Sequence, residues 1–174
     1  MDLTATTTIR RPRSEVYGFW HQFENLSTFM AHLDEVRSTG AGRSHWTATA
    51  PFGKTVEWDA ETDEDVPDEK IGWHSVGEAD VPNRGKVFFV PAPDGVSTEV
   101  HVVMAYDLPG GELGKAVAKY FGEEPNQQLA DDLRRFKSLL ETGEVARSDG
   151  SPEGPRTKNA MHQEDGQPHE EVSA

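Results

Sequence analysis

Cysteine is absent from the 174 residues. The chain therefore forms no disulfide, offers no thiolate nucleophile and has no sulfur ligand for zinc or iron. Long apolar runs are absent as well: stretches such as residues 87–90 fall far short of the roughly 20 residues that a membrane helix needs. Residues 1–13 carry no apolar central stretch of the kind that drives secretion, so a cytoplasmic location is expected. Basic residues are few: 17 Lys and Arg against 31 Asp and Glu leave a formal net charge of −14. That charge repels phosphate backbones and anionic headgroups, which argues against nucleic acid and against stable membrane insertion. Metal and cofactor signals are missing too. The histidines show no H-x-x-x-H pair, and Gly110-Gly111 lacks the lysine and hydroxyl spacing of a phosphate loop. Asp131-Asp132 reads as solvated helix-face charge rather than a calcium site, so neither a metal nor a cofactor is expected.

The chain is long enough for one domain with its own core. Residues 1–145 form that domain; residues 146–174 read as a disordered, acidic and polar tail, because a stretch without aromatics and rich in Gly, Pro, Ser, Glu and Gln cannot bury enough apolar surface to offset its ordering entropy.

Within the domain the hydrophobic period changes twice. Residues 3–9 are rich in threonine and read as a strand, stopped by Arg11-Pro12. Ser14 is the expected N-cap of a short helix with Val16, Phe19, Trp20 and Phe23 on one face, and a second short helix over residues 25–31 places Leu26, Phe29 and Met30 together. From residue 33 to 107 the period is two: Trp46, Ala48 and Ala50 alternate with polar residues, as do Val56, Trp58 and Ala60, and further strands are expected over residues 33–39, 70–76, 86–90 and 98–107. Turn signals such as Pro51-Phe52-Gly53 and Pro93-Asp94-Gly95 separate them, which implies an antiparallel meander. The period then returns to 3.6 in Leu113, Val117, Tyr120 and Phe121, and in Leu129, Leu133, Phe136 and Leu140, with Pro125 in the first turn and Gly143 beyond the last. The expected fold is α+β: a curved antiparallel sheet of about seven strands around one long C-terminal helix, plus two short helices.

With that layout in place, four segments resemble the START/Bet v1-like (SRPBCC) superfamily of helix-grip proteins, in its bacterial polyketide cyclase/dehydrase and lipid-transport branch. They are EVYGFWHQFENLSTFMAHLDEV at residues 15–36, SHWTATAPFGKTVEWDAE at 44–61, IGWHS at 71–75, and YDLPGGELGKAVAKYFGEEPNQQLADDLRRFKSLLETGE at 106–144. The coenzyme Q-binding START-like proteins are a similar group within that branch. The resemblance implies a cavity between sheet and helix that holds a small hydrophobic molecule: a lipid, an isoprenoid quinone or a polyketide-like aromatic. No cofactor is implied, and monomer and homodimer both remain open. The pocket residues this layout selects are Trp46, Trp58, Trp73, Phe89, Val102, Met104 and Tyr106 on the strands. Phe19, Phe29 and Met30 join them from the short helices, with Val117, Phe121, Leu129, Leu133 and Phe136 from the C-terminal ones.

For the tryptophans, simple core filling competes with ligand contact, and the two coexist. Residues 113–121 precede the long helix across a Gly-Glu-Glu-Pro break and can hinge as a lid or pack as a static turn. Two other functions compete with carriage. A cyclase/dehydratase-type enzyme needs a proton-transfer group, for which His32 and Tyr17 are the candidates, since His45, His74 and His101 fall on the outward strand face by parity. An acidic partner-binding or stress-associated protein would use the outer surface instead.

Overall fold

The computed structural model describes residues 1–50, 53–121 and 124–144, without the side chains of residues 120 and 121. The expected tail at residues 146–174 and the Pro51-Phe52 part of the expected turn lie outside these residues. The chain runs through β1 (Asp2–Ile9), α1 (Arg13–His21), a 3₁₀ helix (Phe23–Thr28), β2 (Leu33–Gly40), β3 (Arg43–Thr49) and β4 (Thr55–Val66). It continues through β5 (Lys70–Val76), β6 (Asn83–Pro91), β7 (Thr98–Tyr106), α2 (Gly111–Phe121) and α3 (Pro125–Thr142). All seven strands join one antiparallel sheet in the order β1-β7-β6-β5-β4-β3-β2. This is the helix-grip architecture that the sequence pattern implies.

Two local expectations change. Ser14 does not cap α1: Pro12 occupies that position at φ −63°, and its carbonyl accepts the amides of Glu15 and Val16 at 3.1 and 3.2 Å. Proline's fixed φ suits the entry to a helix, which places Ser14 inside the first turn. The second helix is a six-residue 3₁₀ segment that starts and ends earlier than the expected 25–31. The Asn25 amide donates to the Gln22 carbonyl at 2.9 Å, the Phe29 amide to Leu26 at 3.2 Å and the Thr28 hydroxyl to the Asn25 carbonyl at 2.5 Å, bonds that close over three residues, and a four-residue closure appears at the exit, from the Met30 amide to Leu26 at 2.9 Å.

Strand alternation builds the interior. Trp46, Trp58, Trp73, Val87, Phe89, Val100, Val102, Met104 and Tyr106 are all buried on the inner face. Register brings Trp46 opposite Trp58 and sets Trp73 opposite Gly85. A Cβ added at Gly85 would lie 2.4 Å from Cζ2 of Trp73, so glycine is what lets the indole lie against β6.

α3 closes the interior with Leu129, Leu133 and Phe136. Polar bonds fix it along edge strand β1: the Thr4 amide donates to Asn126 Oδ1 at 2.8 Å, Lys137 Nζ to the Thr8 carbonyl at 2.6 Å, and the Arg10 amide to Glu141 Oε1 at 2.8 Å. Backbone groups of that edge are thereby occupied by helix side chains instead of standing open to another strand. Gly143 ends α3 in the left-handed region at φ 77°, with its amide bonded to the Leu139 carbonyl at 2.9 Å.

Candidate functional site

The inner surface carries two joined groups of rings. On the sheet, Trp46 stacks on Trp58 at 5.7 Å and on Trp73 at 6.2 Å, and Phe23 meets Trp46 and Trp73 edge-on at 5.6 and 5.8 Å. Under α3, Phe29 stacks on Phe136 at 4.6 Å, with Trp20 edge-on to Phe136 at 5.3 Å and Phe19 tilted at 5.8 Å. Phe89 connects the helical group to β6 through Trp20 at 6.4 Å and Tyr17 at 5.7 Å. Such contacts bury large ring areas and favour offset or edge-on geometry.

Of the residues expected to face the interior, Met30, Val102, Met104, Tyr106, Val117, Leu129 and Leu133 are all buried in the same core. The Phe121 side chain lies outside the described part. Trp20, which the sequence pattern does not select for the pocket, is fully buried against Phe29, Phe89 and Phe136. Its spacing of four from Val16 was the available signal.

The indole N–H groups separate the four tryptophans. Trp46 Nε1 donates to Ser44 Oγ at 2.8 Å. The Nε1 atoms of Trp20, Trp58 and Trp73 are buried and have no hydrogen-bond partner among the described residues. A buried donor left unmade costs about 1–3 kcal/mol, so three in one interior are costly unless something brought in from outside accepts from them.

The two candidate proton-transfer residues sit in separate polar clusters. The Tyr17 hydroxyl donates to Asp65 Oδ1 at 2.5 Å, and His21 Nε2 lies 2.8 Å from Asp65 Oδ2. Burial and the adjoining carboxylate push the Tyr17 phenol well above its ordinary range, so it holds its proton tightly. His32 lies at the start of β2 with Nδ1 3.8 Å from Asp132 Oδ2. Asp132 accepts the Ala31 amide at 3.1 Å and pairs with Arg135, whose Nε donates to the Phe29 carbonyl at 2.9 Å. Asp132 is 3% exposed, which corrects the expectation of a solvated helix-face charge. Its place between Leu129 and Phe136 on the apolar stripe was the signal. Burial drives His32 toward its neutral form against the pull of Asp132, and drives the Asp132 carboxyl upward against His32, the Ala31 amide and Arg135.

The strand histidines stand on the outer face beside carboxylates: His45 with Asp59 at 2.7 Å, His74 with Asp63 at 2.9 Å, and His101 with Glu99 at 3.3 Å. Among the described residues no group of three histidines or carboxylates is arranged to hold a metal ion, and no helix is long and apolar enough to cross a membrane.

A pocket lies at the end of the sheet where α1 and the 3₁₀ helix meet the β2–β3 hairpin. It is a partly enclosed pocket of about 280 Å³ whose wall includes His21, Phe23, Glu24, Arg43, Ser44 and Asp65.

The model of the polyketide cyclase / dehydrase and lipid transport family matches residues 9–134. The chain belongs to this family. A family likeness also runs to a Deinococcus radiodurans protein of solved structure, 36% identical, covering 82% of this chain and 99% of that one with a TM-score of 0.66. An uncharacterized 17.2 kDa protein of Streptomyces lincolnensis is 29% identical over 130 residues, 75% of this chain and 83% of its own length. The Zhui aromatase/cyclase of a Streptomyces species shares the fold at 13% identity, covering 84% of this chain and 99% of that one with a TM-score of 0.59.

Proposed function

We propose that this polyketide cyclase / dehydrase and lipid transport family member binds a small, largely apolar molecule against the inner ring surface. The molecule carries at least one oxygen able to accept from the buried indoles. The observation that carries the reading is the set of three unpartnered N–H groups on Trp20, Trp58 and Trp73, beside a fourth tryptophan whose N–H is satisfied within the protein. A packed core chosen for stability alone favours phenylalanine or leucine where no acceptor is at hand. The surrounding residues supply apolar contact and little else, which suits binding rather than proton transfer.

Native mass spectrometry of the purified protein, followed by organic extraction, identifies any bound molecule. The indole ¹H–¹⁵N resonances then locate it. A bound lipid, quinone or aromatic should shift the signals of Trp20, Trp58 or Trp73 more than that of Trp46. A protein that carries nothing and shows no indole shift with any such compound would refute the reading.

Carriage is favoured over the cyclase/dehydratase alternative because Tyr17 is committed to Asp65, while His32 shares its surroundings with an Asp–Arg pair that ties the chain after the 3₁₀ helix to α3.

A further inference from the structure

The outer face of the sheet departs from its polar pattern at one place. Outward positions of β1 include Thr4, Thr6 and Thr8, and those of β4 include Thr55, Glu57 and Asp59, all exposed and polar as a solvent-facing sheet surface requires. Between those strands, on β6 and β7, the same parity turns out Phe88, Val103 and Ala105, and Val103 is 44% exposed. Register gathers them beside two cations: Arg84 lies opposite Ala105, and Lys86 opposite Val103. The result is an open groove of about 310 Å³, within the range of small-molecule sites, which begins near about 300 Å³. Its floor is apolar, and Arg84, Lys86 and Asp63 border it.

The charges on this border are not equivalent. Lys86 Nζ lies 2.7 Å from Glu64 Oε2, and Asp63 Oδ2 lies 2.9 Å from His74 Nδ1. Asp63 also rests over the bare backbone of Gly72, where a Cβ would lie 2.7 Å from its Oδ1. The Arg84 guanidinium, by contrast, has no hydrogen-bond or ion-pair partner among the described residues. Other cations of the outer face, Arg43, Lys70 and Lys86, each pair with a glutamate. In a chain with 31 acidic residues against 17 basic ones, the guanidinium that stands without a carboxylate is the one beside the apolar groove.

We infer that this groove is a binding site for a small organic carboxylate, whose apolar body rests on Phe88, Val103 and Ala105 and whose carboxylate meets the guanidinium of Arg84. A planar carboxylate matches the fork of an arginine in two parallel hydrogen bonds. An apolar floor keeps water from one side of that contact, which strengthens it. The formal net charge of −14 repels an anion at long range. That repulsion is screened beyond about 8 Å at physiological ionic strength, whereas the guanidinium acts at contact. The site lies on the opposite face of the sheet from the ring-lined interior and stands independently of what the interior holds.

Phenylbutyrate is the probe and phenylbutylamine the control, alike in apolar body and opposite in charge. Both are titrated into the full chain at physiological ionic strength and followed by backbone, indole and arginine Nε ¹H–¹⁵N spectra. Affinity for the groove is read from the amides of Lys86, Val103 and Ala105 and from the Arg84 Nε–H. Trp73 also borders the groove, so binding in the interior is scored separately, from the indoles of Trp20 and Trp58. At the groove the acid should bind at least about fivefold more tightly than the amine, through its charge-assisted contact with Arg84. Net charge alone would give the reverse order, so the ranking of the two affinities is decisive. Arg84→Gln replaces an exposed side chain and should remove the preference for the acid. Equal affinities or a preference for the amine, no shift of the groove signals at millimolar phenylbutyrate, or an unchanged preference in Arg84→Gln would each overturn the proposal. The comparison of acid with amine is made on the unaltered protein and does not depend on any variant folding.

Discussion

Gly85 shows how one residue sets the shape of the inner surface. Beside it, Trp73 is confined by Trp46 at 6.2 Å and Phe23 at 5.8 Å, so the indole has little room to step aside from a new methyl group. Gly85→Ala should therefore destabilise the protein by roughly 1–3 kcal/mol, the usual cost of overpacking, read as a lower urea midpoint with unchanged slope. A neutral result would mean that Trp73 has free space to move into. His32 gives a residue-scale prediction about pH. Desolvation lowers its pKa in the fold, opposed by Asp132 and Asp34 and reinforced by Arg135. In the unfolded chain the ring takes up a proton near its ordinary value of about 6.5. The contribution is thus complete above that value and is lost as pH falls from there toward the folded pKa. Relative to His32→Gln, the wild-type chain should lose stability between about pH 7 and pH 5.5, with a slope of up to about 1.4 kcal/mol per pH unit. Urea unfolding at several pH values checks it, and a pH-independent difference would show that folding leaves the His32 pKa unchanged.

At the scale of elements, the contrast between α2 and α3 matters most for access to the interior. α3 is tied to β1 by Asn126, Lys137 and Glu141 and buries Leu129, Leu133 and Phe136. Within α2, Val117 is buried in the core and Leu113 packs against it in part, while Lys115, Ala118 and Lys119 face solvent. Fewer buried apolar anchors among the described side chains point to a lower free energy of local opening. Amide hydrogens of α2 should exchange faster than those of α3, and a bound interior ligand should slow α2 selectively; equal protection in both helices would rule out α2 as the moving part. The strands were legible in the sequence because a residue's face on a half-buried sheet follows from parity, which set Trp46, Trp58 and Trp73 inward and His45, His74 and His101 outward. The 3₁₀ helix was not, since Leu26, Phe29 and Met30 satisfy an α-pattern equally well and the Thr28 hydroxyl that competes for the backbone leaves no periodic trace.

For the whole molecule, the order of elements fixed the layers before any contact was known, because an antiparallel meander followed by one long apolar-striped helix has few ways to bury both. Partners of individual polar groups were beyond reach. Asp65 meets Tyr17 across 48 residues and Asp132 meets the Ala31 amide across 101, and no local pattern encodes such pairings. The same global view yields a prediction about salt. Acidic residues outnumber basic ones by 31 to 17, so self-repulsion opposes the compact state. Salt weakens that repulsion and also weakens surface pairs such as those of Glu64 with Lys70 and Lys86, which hold its pKa down to about 2. Exposed pairs contribute little individually, whereas the excess charge acts over the whole surface. As the Debye length falls from about 30 Å at 0.01 M to about 8 Å at physiological ionic strength, the thermal midpoint should rise. Measured in sodium chloride at neutral pH, a falling midpoint would show instead that the ion pairs of the outer face outweigh the net charge.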